Sequence, residues 1–171
     1  ETTGGKESMT LNRRMPPPLR SMGDFQIVRP ERSRMKNGMP LNIIRAGSQE
    51  VVRLDILIGG GQWHQTQALQ ALFTNRMLRE GTTTMTSAQI AEKLDYYGAW
   101  LELSSAVNYG FITLYSLNKY FPSTLAIISD MLMNPAFPEK ELEVVVESNR
   151  QQFLVNSTRV EVIARKQLHR S

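Results

Sequence analysis

The sequence predicts an α+β fold, an antiparallel-rich sheet with helices packed on one face. Three observations lead there. Runs with period-two alternation come in pairs, runs with helical spacing come in pairs between them, and Gly, Pro and Asn mark the joins.

The opening stretch is rich in Gly, Ser, Arg and Pro, with Pro16, Pro17 and Pro18 in a row. That composition reads as a linker or arm over residues 1–33, with polyproline character and no core of its own. The folded domain is expected over 34–171. Asn37-Gly38 is a turn signal, and Leu41, Ile43 and Arg45 then alternate with Asn42 and Ile44 in a short strand. Val51 to Ile58 alternates more fully, with Val52, Leu54, Ile56 and Ile58 on one face of a half-buried strand. Gly59-Gly60-Gly61 breaks it. No Lys-Ser/Thr follows and no dinucleotide fingerprint is present, so the triple Gly reads as a strand-to-helix turn and not a phosphate loop.

Thr66 is placed to cap a helix ending at Gly81, with Leu69, Leu72, Phe73 and Met77 at helical spacing. Thr86-Ser87-Ala88-Gln89 is a capping box for a second helix with Ile90, Leu94 and Tyr97 inward, closed by Gly98. Two strands follow, Trp100 to Ala106 and Phe111 to Leu117, around a turn at Asn108-Tyr109-Gly110. Pro122 opens a helix through Met133. Pro138 opens the last, with Leu142, Val145, Val146 and Phe153 inward and a break near Asn156-Ser157.

Bulk properties exclude several function classes. The 171 residues suit one domain, and 41% hydrophobic with 21% charged residues is an ordinary globular composition. The longest apolar stretches carry charges and stop short of the roughly 20 residues that span a bilayer. No membrane span is expected. The net charge of +4 sits largely in Arg13, Arg14, Arg20, Arg29, Arg32, Arg34 and Lys36. A basic stretch of this kind reads as a solvated linker, so no nucleic-acid partner is expected. The absence of cysteine excludes disulfides and thiol chemistry without fixing a compartment. The chain opens at Glu1 and stops at Ser171 within a helical pattern, so a fragment of a longer protein is expected. An upstream signal, if one has been removed, would make the protein exported or periplasmic.

A series of segments then carries a resemblance. In order, they are Asn37-Gly38-Met39, Gly59-Gly60-Gly61, Met77-Leu78-Arg79-Glu80-Gly81-Thr82, Ile90 to Leu94 with Tyr97-Gly98-Ala99, Thr113-Leu114-Tyr115, and Met131 to Phe137. Their order and spacing resemble the pitrilysin or insulinase family of zinc peptidases, the inverzincins with H-x-x-E-H. An active member reads like G-L-A-H-F-L-E-H-M-L-F-K-G-T over the first helix. Anchoring on Met77-Leu78 and Gly81-Thr82 sets Leu72, Asn75 and Arg76 under His, Glu and His.

That motif works because two His at i and i+4 share one helical face and give zinc two nitrogens, while the Glu acts as general base on the metal-bound water. Leu72 offers no donor, Asn75 cannot take a proton from water, and Arg76 stays charged and repels a metal. The resemblance places a third ligand, a Glu, roughly 75 residues beyond the second His. Gln151, Gln152 and Phe153 stand there, with no carboxylate between Glu147 and Glu161. Independently of alignment, the only histidines are His64 and His169, which make no i, i+3 or i, i+4 pair. His64 could be a ligand or base, but reads better as a surface or capping residue. No zinc or other cofactor is expected in this chain, although the family uses zinc.

In the family the strand after the second helix reads like N-A-x-T, and its open edge adds a peptide. Here Trp100, Leu101, Glu102, Leu103, Ser104 and Ser105 occupy it. Its main chain can still pair with a peptide. An internal strand and nothing more is the even alternative. The resemblance implies one lobe of a two-lobed clamshell, non-catalytic, completing a peptide chamber with a zinc-bearing subunit or second lobe. A peptide-binding or structural scaffold without a protease partner is the alternative from another class. An active metalloendopeptidase with a relocated site is a third, against which the absent motif weighs.

Overall fold

The computed structural model describes Gly23 and residues 26–168. The Pro16–Pro18 run, Arg13, Arg14, Arg20 and His169 lie outside the described residues. Contacts divide the chain between Ser48 and Gln49.

The first unit holds an antiparallel hairpin of β1 (Glu31–Arg34) and β2 (Pro40–Ile43). The expected Asn37-Gly38 turn joins them. The Met39 N–H donates to Asn37 Oδ1 at 3.1 Å, and Arg34 Nη1 donates to the Gly38 carbonyl at 3.0 Å. Strand β1 begins within the stretch whose composition suggests an arm. All four of its residues are exposed, so no apolar alternation marks it. Pairing with β2 alone makes it a strand.

The second unit is built on β3 (Val51–Gly59), β4 (Trp100–Ser105) and β5 (Tyr109–Leu117), antiparallel in the order β3-β5-β4. The register runs from Val51↔Leu117 to Gly59↔Tyr109 on one side of β5 and from Trp100↔Tyr115 to Ser105↔Gly110 on the other. Val52, Leu54, Ile56, Leu101 and Leu103 share the inward face with the buried Ile112 and Leu114. Helices α1 (Gln70–Met77), α2 (Ser87–Tyr96) and α3 (Phe121–Met133) add Leu78 just past α1, Ile90 and Leu94, and Ile127, Ile128 and Met131. This is the predicted α+β arrangement. Each fully buried Ile or Leu removes enough apolar area from water to contribute about 1.5–3 kcal/mol. Thr124 is buried too, and its hydroxyl donates to Ser116 Oγ at 3.0 Å, tying α3 to β5.

The α2 capping box is present in both directions: Thr86 Oγ1 accepts from the Gln89 N–H, and Gln89 Oε1 accepts from the Thr86 N–H. Two segments quoted separately for the resemblance meet in space. Thr82 bridges Pro135, and the Ala136 N–H donates to the Gly81 carbonyl at 3.1 Å.

Two expectations need correction. Thr66 does not cap α1. The helix starts at Gln70 after Leu69 in a left-handed conformation (φ 67°), and the Thr66 N–H and hydroxyl instead donate to Gln70 Oε1. Its buried side is therefore Ala71, Asn75, Met77 and the following Leu78, while Leu72 and Phe73 are half-buried and Leu69 is exposed. The last helical region is α4 (Glu139–Ser157) and α5 (Val160–Leu168), broken close to Asn156-Ser157 as expected. On α4, however, the half-buried stripe is Glu141, Val145 and Asn149, and Leu142, Val146 and Phe153 are exposed. Spacing of four residues selects the face that meets α1. The abundance of valine hides that choice in the sequence.

Candidate functional site

The site is built where α1, α4 and β4 approach one another. Asn75 sits on the buried side of α1 and its Nδ2 donates to the Ser104 carbonyl on β4 at 2.6 Å. Gly110, paired with Ser105 across the hairpin, makes room for it: a Cβ there would lie 2.9 Å from Asn75 Nδ2. Asn75 Oδ1 is buried without a partner. An orphaned acceptor of this kind costs about 1–3 kcal/mol. Asn75, which the resemblance sets under the general base, is thus a strut between helix and sheet.

One residue on, Arg76 turns the other way, toward α4. Its Nη1 donates to Asn149 Oδ1 at 2.9 Å, across 73 residues of sequence. The α4 residue bonded to Arg76 is therefore Asn149, two residues before Gln151, where the family spacing begins its candidates for the third position. Gln151 Nε2 instead donates to Glu147 Oε1 at 2.7 Å on the exposed side. Among the described residues Arg76 makes no ion pair. It opens on a hollow of about 320 Å³ lined also by Arg79, Glu80, Leu103, Val144 and Val145. Arg79 lies 3.8 Å from Glu80. Burial pushes the Glu80 carboxyl above the usual range, with Arg79 opposing that shift and Glu141 adding to it.

Among the described residues, strand β4 lies at the edge of its three-stranded sheet, paired on one side only. The Ala106 N–H donates to the Tyr109 carbonyl at 2.8 Å, which fixes the alternation along the hairpin. Trp100, Glu102 and Ser104 turn their backbone groups toward β5. Those of Leu101, Leu103 and Ser105 point outward along the free edge. The sheet face opposite the helices carries Leu57 (55% exposed) and Tyr109 (47%) at one end and Trp100 (67%) with Val51 and Leu117 at the other. Its polar centre is satisfied internally. Asp55 accepts from Thr113 Oγ1 at 2.7 Å and pairs with Arg53, whose guanidinium lies over the Tyr115 ring.

His64 ends a single 3₁₀ turn, Gln62–His64, after the glycines and is exposed. It borders a hollow of about 250 Å³ that also touches Gln70, Asn75 and Gly110. The glycine turn has a structural cause. A Cβ on Gly61 would stand 2.5 Å from the backbone of Ala106, Asn108 and Tyr109, so only Gly fits beneath the β4–β5 turn.

The side chains that the resemblance sets at the metal position do not fit zinc. Leu72 has no donor atom, Arg76 brings a cation to the place, and Asn75 spends its amide on Ser104. Among the described residues there is no group of three His, Cys, Asp or Glu able to hold a metal. None of their helices is long and apolar enough to cross a membrane.

The sequence model of insulinase (peptidase family M16) matches residues 43–171. The chain is similar to the uncharacterized zinc protease YmxG of Bacillus subtilis (strain 168), 24% identical over 110 residues, covering 63% of this chain and 27% of that protein. It is also similar to an uncharacterized zinc protease of Rickettsia bellii (strain RML369-C), 28% identical over 116 residues, covering 64% of this chain and 27% of the relative. The chain thus spans about a quarter of the length of these relatives. Among solved structures, a peptidase M16 inactive domain from Pseudomonas fluorescens superposes with a TM-score of 0.72 at 20% identity, covering 81% of this chain and 34% of that one. A protease from Helicobacter pylori gives 0.65 at 14% identity, covering 74% and 32%. At these identities the likeness is one of fold.

Proposed function

The chain belongs to the insulinase family, peptidase family M16, and from that premise we propose that it is a non-catalytic, peptide-holding lobe or subunit of a metallopeptidase assembly. One observation carries the proposal. The motif positions are recruited into structural bonds, Asn75 to Ser104 and Arg76 to Asn149, while the β4 edge beside them stays free. Asn75 cannot serve as a general base, and Arg76 repels a metal. The outward backbone groups of Leu101, Leu103 and Ser105 can still pair with an extended peptide, which needs main-chain groups only.

The rest of the surface supports a chamber wall over a free-standing scaffold. The open sheet face is apolar at both ends, Leu57 with Tyr109 at one and Trp100 with Val51 and Leu117 at the other, and α4 exposes Leu142, Val144 and Val146. A charged, flat face would have favoured a scaffold. A zinc-bearing subunit or second lobe is the partner this arrangement suits, over an interface of roughly 1,200 Å² or more. Peptide cleavage by a zinc-bearing family member, measured with and without this protein, tests the proposal. The expected result is no cleavage by this protein alone and a higher rate in the mixture. Equal rates with no complex on gel filtration would favour the scaffold.

A further inference from the structure

The hollow beside Arg76 carries chemistry that a peptide-holding edge alone does not explain. The inward side chain of Leu103 lines this hollow, while its backbone N–H and C=O face the free edge of β4. A peptide added along β4 would therefore pass its mouth. Val144, Val145 and Leu103 supply apolar walls. Two guanidinium groups and one carboxylate line it. Arg79 has Glu80 within 3.8 Å, so those two charges largely offset each other. Among the described residues, Arg76 is bonded to the neutral amide oxygen of Asn149, at 2.9 Å, and to no carboxylate. That bond uses one of its five N–H donors and fixes the side chain without neutralising it. A half-buried cation held in place over apolar walls is complementary to a carboxylate, which a guanidinium can bind through two parallel hydrogen bonds.

We propose that the Arg76 hollow is a specificity pocket for a carboxylate of the bound peptide, either an acidic side chain or the free C-terminus. The proposal rests on the reading of β4 as a peptide-binding edge and adds a preference to it. Where a metal in an active relative would polarise the peptide bond, a fixed cation here selects among peptides. The preference weakens with added salt, because the pocket is open on one side.

Binding of short fluorescent peptides of alternating Val and Thr tests this by anisotropy. One set carries a central Glu or its Gln counterpart, and each is made with a free or amidated C-terminus. The expected result is about tenfold tighter binding of a peptide with a carboxylate in reach, the size of one charge-assisted hydrogen bond pair. A Glu-dependent gain assigns the pocket to side chains, and a gain lost on amidation assigns it to the terminus. Arg76→Gln is expected to abolish the preference while neutral peptides still bind. Asn149→Asp is isosteric and places a carboxylate against Arg76 from within, so it should abolish the preference too, with the fold kept. Equal binding of charged and neutral peptides by the unmodified protein overturns the pocket and leaves strand addition intact. No binding of any peptide overturns both.

Discussion

Asn75 and Arg76 are adjacent in sequence and face opposite surroundings, one the sheet and one the final long helix. Their present roles make definite demands on substitution. Asn75→Ala removes the bond to Ser104 together with the orphaned Oδ1, so its cost is small, within about 1 kcal/mol. Asn75→Asp keeps the volume but turns an acceptor toward the Ser104 carbonyl, and should cost about 1–3 kcal/mol more. Urea unfolding at neutral pH gives the order; an aspartate variant as stable as the alanine one would contradict the strut. Gly110→Ala forces a methyl to within 2.9 Å of Asn75 Nδ2, and the resulting strain of about 1–3 kcal/mol should vanish when combined with Asn75→Ala. At this scale the sequence was partly legible. Anchoring on Met77-Leu78 and Gly81-Thr82 singles out positions 72, 75 and 76, which all fall within α1. It does not name Asn149 as the partner of Arg76, because a family offset cannot say which face of α4 turns to α1. The spacing of Glu141, Val145 and Asn149 was the available signal.

Among the elements, those with local chemistry were legible and those made by long-range pairing were not. The alternation of β3 and the Thr86–Gln89 box of α2 declare themselves within a few residues. Strand β1 depends wholly on β2. The start of α1 depends on Gln65, whose Oε1 accepts from the Ala71 N–H, and on Gln70, not on Thr66. The glycine turn was seen as a turn, but its reason lies in the close approach of Gly61 to the β4–β5 hairpin. Gly61→Ala must displace backbone and should lower stability by about 1–3 kcal/mol, checked by thermal unfolding. The loop between α1 and α2 responds to acid. Hydrogen bonds from Thr82, Asn134 and Thr84 hold the Asp130 carboxyl below the usual range. Its stabilising contribution is therefore present above the ordinary aspartate pKa and is lost as pH falls through the lowered folded value. Asp130→Asn should flatten the acid limb of a stability–pH curve measured against the unmodified protein; an unchanged limb would contradict that assignment.

At the scale of the molecule, the α+β arrangement was legible because helix and strand pairs alternate along the chain and each carries its own period. The exposure of Leu142 and Val146 was not, since an apolar residue at helical spacing looks the same whether its partner surface is present or lies elsewhere. The chain keeps the insulinase family's fold, and the residues that the resemblance sets under the zinc motif are Leu72, Asn75 and Arg76. After exposure to zinc and dialysis, metal analysis is expected to find no stoichiometric zinc; about one zinc per chain would contradict the unsuitability of Leu72, Asn75 and Arg76 as a donor set. The central claim is that the protein holds an extended peptide on β4 without cutting it. Residue-resolved hydrogen exchange, with and without a Glu-containing peptide of alternating Val and Thr, tests it most directly, the peptide being weighed by mass spectrometry afterwards. The account predicts slowed exchange among the outward amides of Leu101, Leu103 and Ser105, with the peptide recovered whole. Unchanged exchange along β4, or a cleaved peptide, would contradict it.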